Sequence, residues 1–220
     1  VANLGIVAAS MGEKTLLVDA ETRKPGMHAL FGTEREPGLT DLLLATGGGP
    51  PANESPGRPP FEDLLARSIR PTGIPNLDLL PSGSTISDPG SFLATPERMQ
   101  ALLAALRADY RIVLVDSPPL MLVHETTLLA TLVDGVLFVV NSQRPDAEKL
   151  VEARGRLEAV GAVVLGSVLN HVEPTGIYRH NGYYDTSLRP SHPALSLITR
   201  DKMSRLLVAA RQFRSDRLSS

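Results

Sequence analysis

The stretch Thr15-Leu-Leu-Val-Asp-Ala-Glu-Thr-Arg-Lys-Pro25 decides the fold. Its first four residues are leucine or β-branched, a composition that predicts a short buried strand. The strand stops at Asp19, and Glu21 and Arg23 follow at alternate positions. In open α/β sheets, ligands bind just beyond the carboxyl ends of the strands. Two acids and an arginine at this point are therefore typical of a site for Mg²⁺ and phosphate.

A second stretch of the same kind is Arg111-Ile-Val-Leu-Val-Asp-Ser-Pro-Pro119, another apolar run that ends in an aspartate, Asp116. One such strand is weak evidence, because many α/β proteins place an aspartate after a strand. Two in one domain are much stronger.

Apolar runs of strand length alternate with helical patterns along the chain, which predicts an α/β fold with a mostly parallel sheet and helices on both faces. The helix Pro96–Ala108 should bury the face that carries Met99 and Leu102. Leu64–Ile69 and Leu77–Leu80 are interpreted as two short strands that could form a hairpin. The other predicted strands are Thr15–Val18, 111–116, Gly135–Val140 and Ala162–Leu169; the other predicted helices are Val1–Met11, Gly26–Phe31, Leu39–Leu44, one from about Glu125, and Ala147–Val160.

Several motifs together resemble the bacterial tyrosine kinases of capsule and exopolysaccharide biosynthesis, a ParA/MinD-like branch of the P-loop ATPases. Leu16–Arg23 is similar to their second Walker-A-type motif, and Ile112–Pro119 to their Walker B motif. Glu36–Leu43, Leu77–Gly83 and Asp88–Met99 follow in the family's order. The resemblance covers roughly residues 1–172, and it implies a P-loop NTPase-like fold.

The chain departs from this family at the phosphate-binding loop. No G-x-x-x-x-G-K-[ST] occurs in the 220 residues, and the sequence begins at the position that should follow that motif. Without the loop's N–H groups and lysine, affinity for a nucleotide triphosphate should fall severely. We therefore expect a fragment that is inactive alone, with a gap in the sheet where the strand before the loop would lie.

The resemblance also implies an activity and a set of residues. The activity is ATP- and Mg²⁺-dependent autophosphorylation on tyrosine, by a protein-tyrosine kinase that regulates polysaccharide polymerisation and export. Asp19, with Glu21 and Arg23, would be catalytic, and Asp116 and Asp19 would bind the metal. Asn170 would recognise adenine. From the residues alone, Asp19 could merely cap the following turn, Arg23 could be a solvated surface residue, and Asn170 could simply bond backbone.

The last part of the chain, residues 173–220, is predicted to be a separate tail. Tyr178, Tyr183 and Tyr184 are three of the four tyrosines, and the resemblance implies that they accept phosphate from a neighbouring subunit. A basic amphipathic helix over Thr199–Phe213 is expected, with packing on its own domain as the default role. Residues 171–220 carry a net charge of +4, from eight basic and four acidic side chains.

Composition limits the classes of protein that fit. A net charge of −2 argues against a dedicated nucleic-acid binder, and the absence of cysteine excludes disulfides. No apolar run approaches the roughly 20 residues of a membrane-spanning helix. By resemblance we expect a homo-oligomer at the cytoplasmic face of the cell membrane, partnered by a membrane-anchored polysaccharide co-polymerase that activates it.

Two alternatives stay open at this point. One is a non-catalytic component of polysaccharide assembly that does not bind ATP. The other is a ParA/MinD-like positioning ATPase, against which the tyrosine cluster and the Asp88–Met99 segment both argue.

Overall fold

The computed structural model describes residues 1–45, 61–86, 96–143 and 146–172. Helices and strands alternate along these ranges, which confirms the α/β class. None of the described helices is long and apolar enough to span a membrane. The helices are α1 (Ala2–Ser10), α2 (Met27–Phe31), α3 (Leu39–Ala45), α4 (Phe61–Ser68), α5 (Pro96–Asp109), α6 (Glu125–Leu132) and α7 (Ala147–Ala159). The strands are β1 (Thr15–Asp19), β2 (Arg70–Pro71), β3 (Leu77–Leu80), β4 (Ile112–Asp116), β5 (Val136–Asn141) and β6 (Val164–Asn170).

A four-stranded sheet of order β2-β3-β1-β4 carries the two motif strands. β1 is parallel to both β3 and β4, with Thr15 opposite Leu77 on one side and Ile112 on the other. All five residues of β1 are buried. This explains why the run that starts the motif is uninterruptedly apolar until its final aspartate.

The remaining two strands, β5 and β6, pair with each other in parallel and form a separate sheet. Within the described ranges β4 pairs only with β1, and β5 only with β6, so each of the two strands has one unpaired edge. This division matches the gap expected from the resemblance. It also leaves apolar side chains of the small sheet in solvent: Val139 and Leu169 are each 55% exposed.

The hydrophobic core lies between the larger sheet and the helices α3 and α5. Leu16 and Val18 of β1 are buried in it together with Leu39 and Leu42 of α3. Each fully buried side chain of this size stabilises the fold by about 1.5–3 kcal/mol. The predicted apolar face of α5 is confirmed, since its buried residues are Met99, Leu102, Leu103 and Leu106.

The strand predicted over Leu64–Ile69 is wrong, because α4 extends to Ser68 and Ile69 lies just beyond its end. Its apolar residues recur at helical spacing from Phe61, so Phe61, Leu64 and Ile69 all pack against the core from one side. The hydroxyl of Ser68 donates to the carbonyl of Leu64, four residues back. The antiparallel partner of β3 is instead the two-residue strand β2 that follows the helix.

Candidate active site

The two strand-ending aspartates lie side by side. Asp19 and Asp116 are opposite each other in the register of β1 and β4, and the N–H of Ala20 donates to the carbonyl of Asp116 at 2.8 Å. Neighbouring strands are about 4.8 Å apart, and directly opposed residues project from the same face. Two acids that the sequence presents 97 positions apart therefore form one carboxylate pair at the edge of the sheet.

Asp19 is held by the loop that follows it. Its carboxylate is 1% exposed and accepts two backbone hydrogen bonds, at 3.2 Å each, from Glu21 and Met27. Burial raises the pKa of this carboxyl, the Met27 N–H lowers it, and the charge of Asp116 raises it again, so that the pKa lies above its ordinary value. Asp19 thus caps its turn. It is also an acid with a perturbed pKa, and such acids cluster at functional sites.

The pKa of Asp116 is shifted in the same direction as that of Asp19. Burial raises the pKa of its carboxyl above the ordinary value, and the negative charge of Glu21 adds to this shift. The backbone nitrogen of Val1, the N-cap residue of α1, is close enough to interact with Asp116, so the amino end of that helix lies near the carboxylate pair. Backbone N–H groups in the first turn of a helix have no partners within the helix and favour anions. Negative and positive groups therefore converge at this edge of the sheet.

Glu21 is occupied by its own turn. One of its carboxylate oxygens accepts the backbone N–H of Arg23 at 3.0 Å and that of Lys24 at 3.2 Å. These contacts shape the loop between β1 and α2. The catalytic role predicted for Glu21 stays a prediction. In the structure its carboxylate accepts hydrogen bonds within its own loop.

Arg23 forms an ion pair that the sequence did not suggest. Its guanidinium lies 2.5 Å from a carboxylate oxygen of Glu125, the first residue of α6. The Glu125 side chain is only 6% exposed, whereas that of Arg23 is 40% exposed. Burial alone would raise the pKa of Glu125, but its own backbone N–H and the Arg23 guanidinium hold it below the ordinary value. Glu125 is therefore a buried, ionised acid whose partner is a motif residue.

A hollow of about 490 Å³ lies at the opposite end of the sheet, lined by Lys14, Arg107, Tyr110, Arg111 and others. Lys14 and Arg111 directly precede β1 and β4, whereas the aspartates end these strands. A five-residue strand is about 16 Å long, so this hollow is not part of the carboxylate site.

Comparison with known proteins gives the family. No family model matches the chain. The structure superimposes on the crystal structure of the VpsO kinase domain with a TM-score of 0.66 and 31% sequence identity, over 78% of this chain and 76% of that one. EpsB of Ralstonia nicotianae, which is named as a tyrosine-protein kinase, is 34% identical over 203 residues, or 88% of this chain. The chain belongs to the bacterial tyrosine-kinase family.

The match to EpsB covers 25% of EpsB, so the chain spans about a quarter of that relative's length. The septum site-determining protein MinD of Pyrococcus horikoshii, solved in complex with Mg-ADP, is a more distant neighbour. It gives a TM-score of 0.56 at 22% identity, over 76% of this chain and 62% of that one. This likeness confirms the P-loop NTPase-like fold and carries nothing about function.

The carboxylate pair fits the metal that a kinase needs. Mg²⁺ is usually held by one or two carboxylates and completes its coordination with water and substrate phosphates. In the described part of the chain, no group of three or more His, Cys, Asp or Glu side chains could enclose an ion. Asp19 and Asp116 together, each with a raised pKa, offer the donor set of a shared nucleotide–metal site, in which a cation would relieve their mutual repulsion.

Among the described residues, the structure places Asn170 in a different sheet from this pair. Asn170 ends β6 in the smaller sheet, opposite Asn141, and its side-chain oxygen accepts the N–H of His171 at 2.9 Å. Its predicted contact with adenine stays a prediction. Tyr178, Tyr183 and Tyr184 lie outside the described residues, as does the segment 88–95 of the Asp88–Met99 motif.

We expect the Arg23–Glu125 pair to give a pH-dependent contribution to stability. Because the pKa of Glu125 is lowered in the folded state, its stabilisation is complete above the ordinary value of 4.5 and is lost as the pH falls through the folded pKa. Glu125→Gln should lower the free energy of unfolding by about 1 kcal/mol at pH 7, a modest amount because Arg23 is partly exposed.

Urea unfolding at pH 7 and below pH 4.5 would measure this difference between the variant and the parent chain. Glu152→Gln is a matched control, since it breaks the exposed Arg156–Glu152 pair of α7 and should change stability little at either pH. A difference for Glu125→Gln that stays constant in acid would contradict the assignment.

Proposed function

We propose that the chain forms most of the catalytic domain of a protein-tyrosine autokinase that uses Mg·ATP. The observation that carries this proposal is the pairing of Asp19 with Asp116 at the carboxyl ends of adjacent parallel strands. Phosphoryl transfer depends mainly on positioning and on charge neutralisation, and an acid pair next to a helix amino end, with Asp19 buried and Asp116 partly buried, supports both. Membership of the bacterial tyrosine-kinase family supports the choice of tyrosine as acceptor.

The proposed roles are those that the family resemblance implies, and the pairing of Asp116 with Asp19 supports the first two of them. Asp116 would hold Mg²⁺ through water, and the ion would neutralise the charge on the phosphates. Asp19 would accept the proton of the attacking tyrosine hydroxyl. The phenolic oxygen would bond to the γ-phosphorus as the bond to the β-phosphate oxygen breaks, which gives phosphotyrosine and ADP. Asn170 would contact the adenine ring.

The proposal requires a phosphate-binding loop that residues 1–220 do not supply. Its N–H groups and lysine would cradle the phosphates beside the start of α1. We therefore expect the 220 residues by themselves to be inactive, and the natural protein that contains them, at its full length, is the proper object of the test.

The cellular setting is proposed from the family resemblance. The kinase would regulate polymerisation and export of a capsular or extracellular polysaccharide from the cytoplasmic face of the cell membrane. It would act as a homo-oligomer with a membrane-anchored co-polymerase as activator. Phosphates on Tyr178, Tyr183 and Tyr184 would each add about −1.5 to −2 charge to a basic tail and so change how subunits associate.

Phosphorylation of the tyrosine cluster can be tested cleanly, because the sequence has only four tyrosines. In the full-length protein with Mg·ATP, the triple variant Tyr178→Phe/Tyr183→Phe/Tyr184→Phe should lose nearly all phosphotyrosine within this segment, as measured by mass spectrometry. Tyr110→Phe is the matched control. Tyr110 is 9% exposed and its hydroxyl donates to Asp78, so phosphorylation there is not expected.

Transfer between subunits is tested by mixing two proteins. One carries Asp116→Asn with an intact tail, and the other carries a normal acid pair with the triple phenylalanine tail. Label on the first protein shows transfer from its neighbour. Label confined to Tyr110, or none in the wild type, would overturn the proposed function.

The alternative is a non-catalytic assembly component, which the lack of a G-x-x-x-x-G-K-[ST] motif in these residues favours. It predicts that the full-length protein gives no heat signal on titration with Mg·ATP. Micromolar binding would exclude it. A positioning ATPase is less well supported, since the likeness to MinD is weaker in both identity and superposition than that to the VpsO kinase domain.

A further inference from the structure

The Arg23–Glu125 pair has a feature that an ordinary surface ion pair lacks, namely that one partner is buried. Glu125 is 6% exposed at the start of α6, and an unpaired ionised carboxylate in such surroundings is strongly unfavourable. Its contact with Arg23 is therefore held tightly. In comparison, three described ion pairs lie on α7 and at its amino end. All six of their side chains are at least 39% exposed, so none of them needs its partner to avoid a buried charge.

Arg23 belongs to the loop that surrounds the Asp19 carboxylate. Residues 20–26 leave β1 and enter α2, and two N–H groups at the ends of this loop, of Glu21 and Met27, donate to Asp19. Between them, the Glu21 carboxylate accepts the N–H groups of Arg23 and Lys24. A displacement of Arg23 would thus pass through Glu21 to the hydrogen bonds that orient Asp19.

The other partner is attached to the segment that follows β4. Thr126, next to Glu125, donates its hydroxyl to the carbonyl of Pro118 at 2.8 Å, and this contact is buried. Pro118 is two residues beyond Asp116. The ion pair therefore joins the segment after one aspartate to the segment after the other, across 102 positions of sequence.

We infer that Glu125 is a positioning residue, which acts through Arg23 to fix the loop that orients the Asp19 carboxylate beside Asp116. The inference rests on the proposed function for its consequence in catalysis, but the anchoring itself is a property of residues 1–220. It assigns Arg23 a supporting role in place of direct contact with phosphate.

The two roles for Arg23 give opposite results in Glu125→Gln. If Arg23 bound phosphate, release from Glu125 would leave both kcat and the binding of Mg·ATP unchanged or improve them. If the pair is an anchor, Glu125→Gln and Arg23→Gln both remove the same ion pair. Each should then lower kcat about 10–100-fold with a less than threefold change in KM for Mg·ATP, and the double variant should be no worse than either single one.

Hydrogen exchange in the chain 1–220 tests the anchor without any activity. In Glu125→Gln and in Arg23→Gln, the amides of Glu21 and Met27 should exchange at least about tenfold faster, while the amide of Leu17 in β1 keeps its protection. Glu152→Gln should change none of these rates, because its pair lies on α7.

Unchanged exchange at Met27 in Glu125→Gln would overturn the inference. So would acceleration of equal size throughout β1, because that would mean general loss of stability. If the full-length wild type transfers no phosphoryl group, the proposed function fails, and the exchange result still decides whether the anchor exists.

Discussion

Asp116→Asn is expected to reduce tyrosine phosphorylation by the full-length protein at least about 100-fold and, at the same time, to make the folded domain more stable. Activity falls because an amide is a poor partner for Mg²⁺ and its bound water. Stability rises because the variant removes one of two neighbouring negative charges, that of the partly buried Asp116 beside the buried Asp19. We expect a gain of about 1 kcal/mol, or roughly 2–4 °C in Tm for a domain of this size.

The sign of the stability change follows from the pKa values. Burial, the largest cause in both residues, raises the pKa of Asp19 and of Asp116 above the ordinary 3.8. Carboxyls with raised pKa bind protons more readily in the folded state, so the contribution of these two groups to stability is greatest below pH 3.8 and falls as the pH rises through the raised values. At pH 7 the full cost of two ionised groups is present, and Asp116→Asn removes part of it.

Asp134→Asn is the control for this experiment. This variant makes the same change from acid to amide at an exposed site. Asp134 lies beside Arg107, at the end of the domain away from the carboxylate pair. It should alter neither phosphorylation nor Tm appreciably. Undiminished labelling in Asp116→Asn would refute the proposed mechanism, and a fall in Tm would show that the two carboxylates do not repel each other as inferred.

The carboxylate pair could be predicted from sequence because both halves of the signal are local. A run of leucine and β-branched residues defines each strand, and an aspartate marks the point where each strand ends. The parallel arrangement of β1 and β4 then brings Asp19 and Asp116 together without further information. The same local logic gave the buried face of α5, where residues spaced by three and four positions face the core.

Features that depend on distant partners could not be predicted in this way. Glu125 is an acid in the first turn of a helix, which is common and needs no special partner. Only the fold brings Arg23 to it, from 102 positions away. The prediction of a strand over Leu64–Ile69 was wrong for a related reason. Its six residues are too few to separate a period of 2 from one of 3.6, and Phe61, which settles the helix, lies outside the run.

Gly38→Ala is expected to destabilise the domain by about 2–4 kcal/mol. This is the largest effect on stability among the substitutions that we propose. A Cβ atom at this position would lie 2.3 Å from the carbonyl oxygen of Pro81 and 2.5 Å from the backbone nitrogen of Gly83. Both are backbone atoms, so no side chain can turn aside to make room.

The contacts around Gly38 make any shift costly. The loop that follows β3 is bonded to the start of α3, where the N–H of Leu39 donates to Pro81 at 2.8 Å. One carboxylate oxygen of Asp41 accepts the N–H groups of both Gly38 and Ser84. Moving the loop to accommodate a methyl group would stretch these bonds together, and it would separate α3, whose leucines fill the core, from the sheet.

Urea unfolding of Gly38→Ala and of Gly155→Ala would test this argument with the same chemical change at two sites. Gly155 lies inside α7, where a Cβ meets no atom within 4 Å, so alanine should stabilise the domain by about 0.5–1 kcal/mol through helix propensity. Opposite signs are therefore expected for two glycine-to-alanine substitutions. Equal effects would mean that the close approach at Gly38 is relieved by a small movement, and that the loop after β3 does not fix the position of α3.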